Sequence, residues 1–204
     1  MIIQIRGTSG SGKTWAMRSV IDSIKPLEQW SAFRVEDLLG DDPETTELRE
    51  MFGGRRQPLF YEAVHRGVSV AICGHYESAC GGCDNVGSAP RVFALCRYLT
   101  MRHSIQVVLS EGLLWSEDTK WSSQLDDLRV IYLSTKVDQC IRQINARRLA
   151  AGKTDPVNED NTRNRVATIN RSRVKLNKLG KTTAVVSSRQ VEETVNNWLI
   201  EISK

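Results

Sequence analysis

No stretch of this 204-residue chain holds the roughly 18–20 consecutive apolar residues that a membrane-spanning helix needs. The opening MIIQIRGTSG has no basic-then-apolar leader with a small-residue cleavage site. The expectation is a cytoplasmic protein with no membrane partner. Cysteine occurs five times, at positions 73, 80, 83, 96 and 140. An odd count in a reducing compartment excludes a disulfide framework. Proline is scarce, with five residues, and no low-complexity tract or repeat is present. A disordered or fibrous chain is therefore excluded. What is present, 40% hydrophobic and 25% charged residues, is the composition of a globular protein. The length allows a full core without disulfide or metal staples, and one domain over 1–204 is expected.

Acidic residues are scarce over one stretch of the chain. Between positions 142 and 181 there are eleven Lys or Arg against three acids, +8 in all. The net charge of the whole chain is +4, so the remainder carries −4. A basic segment on an acidic body points to an anionic partner, nucleotide phosphates or a nucleic-acid backbone. A solvated helix face is the plain alternative.

Short apolar runs alternate with helical patterns. Strands are expected over 1–6, 30–35, 68–73, 105–109, 129–133 and 182–186. Helices are expected over 13–25, mostly over 43–66 with breaks near Gly53-Gly54 and Pro58, and over 91–102, 117–128, 137–151, 162–179 and 190–202. Such alternation implies βαβ units: an α/β fold with a mainly parallel sheet of about five strands flanked by helices. Ligands of such sheets bind at the carboxyl ends of the strands.

Gly7, Thr8, Ser9, Gly10, Ser11, Gly12, Lys13 and Thr14 match G-x-x-x-x-G-K-[ST] in full, between an apolar strand and a helix. Glycines let successive amides turn inward around phosphate oxygens, and the helix N-terminus adds partial positive charge. Lys13 would reach the β- and γ-phosphates of ATP, and the Thr14 hydroxyl would ligate Mg²⁺. Glu111 closes the strand IQVVL and could face this loop, holding Mg²⁺ or taking a proton from an acceptor hydroxyl. Arg142, Arg147 and Arg148 lie on the helix after RVIYL, where they could neutralise a transferring phosphoryl group. Salt-bridged surface arginines are the alternative there.

This order of strand, GxxxxGKT, strand-end acid and arginine-rich helix resembles the small P-loop kinases of nucleosides, nucleotides, shikimate and polynucleotide 5′-hydroxyls. The resemblance covers essentially the whole chain. It implies an arginine-rich lid at about 142–161 and places Arg189, in Ser187-Ser188-Arg189, near the adenine. GHYESACGGCDN, SEGLLWSED and NARR more closely resemble bacteriophage P-loop kinases of thymine hypermodification. Those enzymes phosphorylate the hydroxymethyl group of 5-hydroxymethyluracil in DNA. The stretch Glu111-Gly112-Leu113 lacks the D-R-Y/H or E-R-S pattern of deoxynucleoside and thymidylate kinases. A free nucleoside, nucleotide or small metabolite is the alternative acceptor. An NTP-binding module without transfer activity is a third reading, of another class.

His75, Cys80 and Cys83 could ligate zinc, but a single C-x-x-C without a second pair also fits a reduced substrate loop. Candidate bases for the acceptor, in order, are Asp84, Glu111 and Asp37, with His75 and Glu36 as rivals. A target base extruded from DNA needs a face to stack on, for which Tyr76, Trp115 and Trp121 are the candidates, with ordinary packing the alternative for each. Arg55, Arg56, Arg66 and the basic segment are candidates for the DNA backbone.

Overall fold

A computed structural model describes residues 1–78, 81–101 and 104–203. Among the described residues seven strands form one sheet in the order β2-β3-β4-β5-β1-β6-β7. They are β1 (Ile2–Arg6), β2 (Ser31–Phe33), β3 (Phe60–His65), β4 (Val68–Cys73), β5 (Val107–Glu111), β6 (Leu128–Leu133) and β7 (Thr182–Val186). The helices are α1 (Lys13–Ile24), α2 (Pro43–Phe52), α3 (Ala89–Met101), α4 (Leu113–Glu117), α5 (Val137–Ala150), α6 (Glu159–Lys178) and α7 (Val191–Ile202).

The five strands β4, β5, β1, β6 and β7 run parallel. An antiparallel extension, β2 and β3, carries the total to seven rather than about five. Within 43–66, α2 stops at Phe52, at the expected Gly53-Gly54 break, but the expected helix beyond it is corrected: Phe60–His65 is a strand. FYEAVH is rich in aromatic and β-branched residues, and Phe60, Tyr61 and Ala63 are buried. Arg66 and Gly67, both at positive φ (50° and 82°), join β3 to β4. Two such residues make the type I′ turn whose twist suits a hairpin. The helix expected over 117–128 is also replaced. The helix there, α4, ends at Glu117, and the Asp118 carboxylate accepts from the amide and hydroxyl of Ser122. That local capping offers the backbone a turn instead of a helix.

The period of two along β1 sorts its side chains. Ile3 and Ile5 pack with Met17, Val20 and Ile21 of α1 and with Val195 and Leu199 of α7. Ile2 joins the opposite layer with Leu95 and Leu99 of α3, Trp115 of α4 and Leu176 of α6. Gln4 and Arg6 share the face of Ile2 and are fully buried. Burial lowers the Arg6 pKa, and its guanidinium is satisfied by Gln4 Oε1, Ser122 Oγ, the Asp118 carbonyl and Ser172 Oγ. A buried cation needs such a set of acceptors. This one ties the strand that feeds the glycine loop to α6.

Candidate active site

The loop from Gly7 to Gly12 leaves the carboxyl end of β1 and opens α1. Three contacts fix it. The Gly7 amide donates to Ser116 Oγ at 3.0 Å, the Thr135 hydroxyl donates to the Ser11 carbonyl at 2.8 Å, and Lys13 Nζ donates to the Thr8 carbonyl at 3.1 Å. Gly10 sits at φ 72°, and a Cβ there would lie 2.5 Å from the Cys140 carbonyl of α5. Only glycine lets the loop pass the helix that closely. Lys13 is buried, which lowers its pKa, while Glu111 opposes the shift.

Glu111 ends β5, the strand beside β1, so its carboxylate arrives at the loop by register, with Glu111 opposite Ile5. Thr14 Oγ1 donates to Glu111 Oε1 at 2.9 Å. The carboxyl is almost wholly buried, and burial raises its pKa to about 7, against the pull of Lys13 and the Thr14 hydrogen bond. The segment after β4 lies directly on it: a Cβ at Gly82 would meet Glu111 Oε1 at 2.2 Å. Arg18 of α1 holds the same segment by the carbonyls of Tyr76 and Ser78, at 2.8 and 2.6 Å. Asp84 follows on an exposed wall, where its Oδ1 accepts from the amides of Leu113 and Leu114 at 2.6 and 3.1 Å.

These elements enclose a cleft of about 510 Å³. The glycine loop, Lys13, Thr14 and Trp15 form one wall, Gly81, Asp84 and Asn85 a second, and Gln143, Ala146 and Arg147 of α5 a third. Ser9, Gly10, Gly12, Lys13, Thr14, Asp84 and Arg147 of the expected site residues line it, with Glu111 hydrogen-bonded just behind. A neighbouring cavity of about 200 Å³ takes Gly7, Thr8 and Ser11 together with Arg173 of α6. Ser188, beside Arg189, would lie 3.3 Å from a Cβ at Gly12, which sets that turn against the loop.

Other expected residues fall outside the cleft. The Asp37 carboxylate accepts from the Arg34 amide at 2.8 Å and lines a separate cleft with Phe33, Asp42 and Tyr98. Arg142 is exposed on α5, away from the cleft lining. Arg148 is spent on the Asp155 carbonyl at 2.8 Å. The stacking candidates are corrected: Tyr76 and Trp115 are buried, and Trp121 packs on Phe93. Trp115 Nε1 donates to Ser110 Oγ at 2.9 Å, so its role is packing. Cys80 lies outside the described residues. The Cys83 thiol donates to the Cys73 carbonyl, and His75 is buried. Among the described residues no three His, Cys, Asp or Glu side chains gather as a metal cluster. Of the cleft-lining residues that sequence reasoning missed, among them Asn85 and Gln143, Trp15 is the aromatic one, 57% exposed. Its signal was its place, next after Gly12-Lys13-Thr14.

A glycine loop with a buried lysine and a strand-end acid, set across an open cleft from a second carboxylate on an α/β sheet, fits the class that the comparison shows, a kinase. This chain is 34% identical over 167 residues to a protein of Pseudomonas phage PaMx11 described as "5-hmdU DNA kinase", covering 79% of this chain and 77% of that one. The chain belongs to the family of that phage kinase. No family model matches it. Among the described residues no helix is long and apolar enough to cross a membrane.

Proposed function

We propose that this kinase transfers the γ-phosphoryl group of ATP to the hydroxymethyl oxygen of 5-hydroxymethyluracil in DNA. The observation that carries the reading is the Thr14–Glu111 pair at the mouth of the glycine loop, with Asp84 on the facing wall. The phage relative, a kinase whose name specifies this deoxyuridine in DNA, supplies the acceptor.

Gly7–Thr14 acts as the phosphate loop, and Lys13 neutralises the β- and γ-phosphates. Thr14 and Glu111 fit Mg²⁺: both offer hard oxygens, and one carboxylate suffices where phosphates and water complete the coordination. Bound there, the ion would add positive charge at the β- and γ-phosphates. Asp84 is the base. Its Oδ1 is held by two amides, which orients the carboxylate on the cleft wall. As the acceptor oxygen bonds to the γ-phosphorus, the bond from that phosphorus to the bridging oxygen of ADP breaks, and the acceptor proton passes to Asp84. Arg147 spreads positive charge over the equatorial oxygens. Glu111 serves Thr14 and the metal, and Asp37, in its separate cleft, takes no part.

The whole chain works as one P-loop kinase domain, with the second half of α5, the connection after it and the start of α6, about 142–161, as its lid and Arg189 beside the adenine. Arg163 is paired with Asp138 and Glu159, and Arg165 with Glu117, so on α6 the cations offered to DNA narrow to the exposed Arg171, Lys175 and Lys178, with Arg56 and Arg66 exposed elsewhere on the surface. The enzyme would act in the cytoplasm of an infected cell. ATP turnover measured with a 5-hydroxymethyluracil duplex, a thymine duplex and the free nucleoside tests the reading. Only the first should stimulate turnover. Stimulation by the free nucleoside to the same degree contradicts a DNA substrate.

A further inference from the structure

Trp15 is the one large aromatic side chain left exposed among the described residues. Single exposed apolar residues are ordinary, so exposure alone decides nothing. Its position does. Trp15 follows the threonine of the phosphate loop, in the first turn of α1, and lines the same cleft as Lys13, Asp84 and Asn85. One turn further along the helix, Arg18 clamps the Tyr76 and Ser78 carbonyls, which fixes the acceptor segment beside it. The other large aromatics near that segment are closed off: Tyr76 and Trp115 are buried to 1% and 0% exposure. A base taken out of duplex DNA loses its stacking neighbours and needs a flat apolar face to replace them. An indole supplies the largest such face among the amino acids.

We propose that Trp15 is a positioning residue for the acceptor: its indole stacks on the extruded 5-hydroxymethyluracil and holds the hydroxymethyl group in the cleft with Asp84. The proposal rests on the DNA-base reading of the function. Steady-state kinetics with a 5-hydroxymethyluracil duplex and with ATP, for wild type, Trp15→Leu and Trp15→Phe, tests it. Leucine keeps apolar bulk without a π face, and phenylalanine keeps the face. Stacking of a base on an aromatic side chain predicts a rise of roughly 5- to 150-fold in the KM for the duplex in Trp15→Leu. The KM for ATP should stay at the wild-type value, kcat should change far less, and Trp15→Phe should recover most of the loss. An unchanged duplex KM in Trp15→Leu, or an ATP KM that rises with it, overturns the role while leaving the proposed function standing. A wild-type enzyme indifferent to the duplex overturns that function and this role together.

Discussion

Glu111 is the residue on which stability and activity pull in opposite directions. Burial raises its pKa from 4.5 to about 7, so the folded chain holds a proton that the unfolded chain has released over that window. Stability from this group is therefore full below about pH 4.5, falls as pH rises toward 7, and is flat beyond. The change is on the order of 3 kcal/mol at most. Glu111→Gln removes the titration and keeps an acceptor for Thr14. Without nucleotide or metal, its melting temperature should exceed that of wild type by several degrees at pH 8 and by little at pH 5, while phosphoryl transfer is lost. A wild-type-minus-variant difference that does not vary with pH contradicts the buried titration. At Asp84 the roles separate differently. Asp84→Asn still offers an oxygen to the amides of Leu113 and Leu114, so α4 stays anchored. Loss of the base should lower kcat by roughly 10²–10⁴-fold with the ATP KM little changed. An unaltered kcat would move the base elsewhere. That Lys13, Thr14 and Glu111 lie together could be read in the sequence because the glycine-loop spacing and the strand end place them. Which aromatic stays exposed at the cleft could not, since aromatic identity in a string says nothing of burial: Tyr76 and Trp115 went into the core and Trp15 stayed out.

Among the elements, α6 shows how a charge count narrows. The eleven cations between 142 and 181 suggested an anion-binding face. In the fold, the N-terminal part of the helix is occupied by ion pairs with Asp138, Glu159 and Glu117, while Thr162, Ile169, Ser172 and Leu176 point inward. Arg171, Lys175 and Lys178 remain exposed. Replacing these three by alanine should weaken duplex binding and flatten the salt dependence of log K by up to about 2–3 units, near 0.9 for each phosphate no longer neutralised. A slope equal to that of wild type means that DNA lies on another face. The β3–β4 hairpin was the least legible element. Its turn, Arg66-Gly67, lacks the Asn-Gly or Asp-Gly signature of a two-residue hairpin, and glutamate and alanine in FYEAVH also suit a helix. Pairing with β2 and β4 decided it. The helix expected over 117–128 failed for a local reason, the Asp118–Ser122 capping, which propensity does not see.

At the scale of the whole molecule, the alternation of apolar strands and helices announced the five parallel strands and the end of the sheet at which chemistry occurs. It did not announce the antiparallel β2–β3 extension at the edge, because that pairing depends on residues far apart in the chain. The consequence of the sheet order is functional. With β1 between β5 and β6, the glycine loop meets Glu111 on one side and Arg147 of α5 on the other, while the segment after β4 brings Asp84 to the facing wall. The reaction proposed for this cleft is movement of a phosphoryl group onto a base already in DNA. γ-Labelled ATP and Mg²⁺, with matched duplexes carrying 5-hydroxymethyluracil or thymine, then nucleoside digestion and mass analysis, would read it out at the acceptor atom itself. Label is expected on the hydroxymethyl oxygen of the modified duplex alone, and none with Lys13→Ala. Label on a strand terminus, on the thymine duplex or with the Lys13→Ala enzyme would refute that reaction.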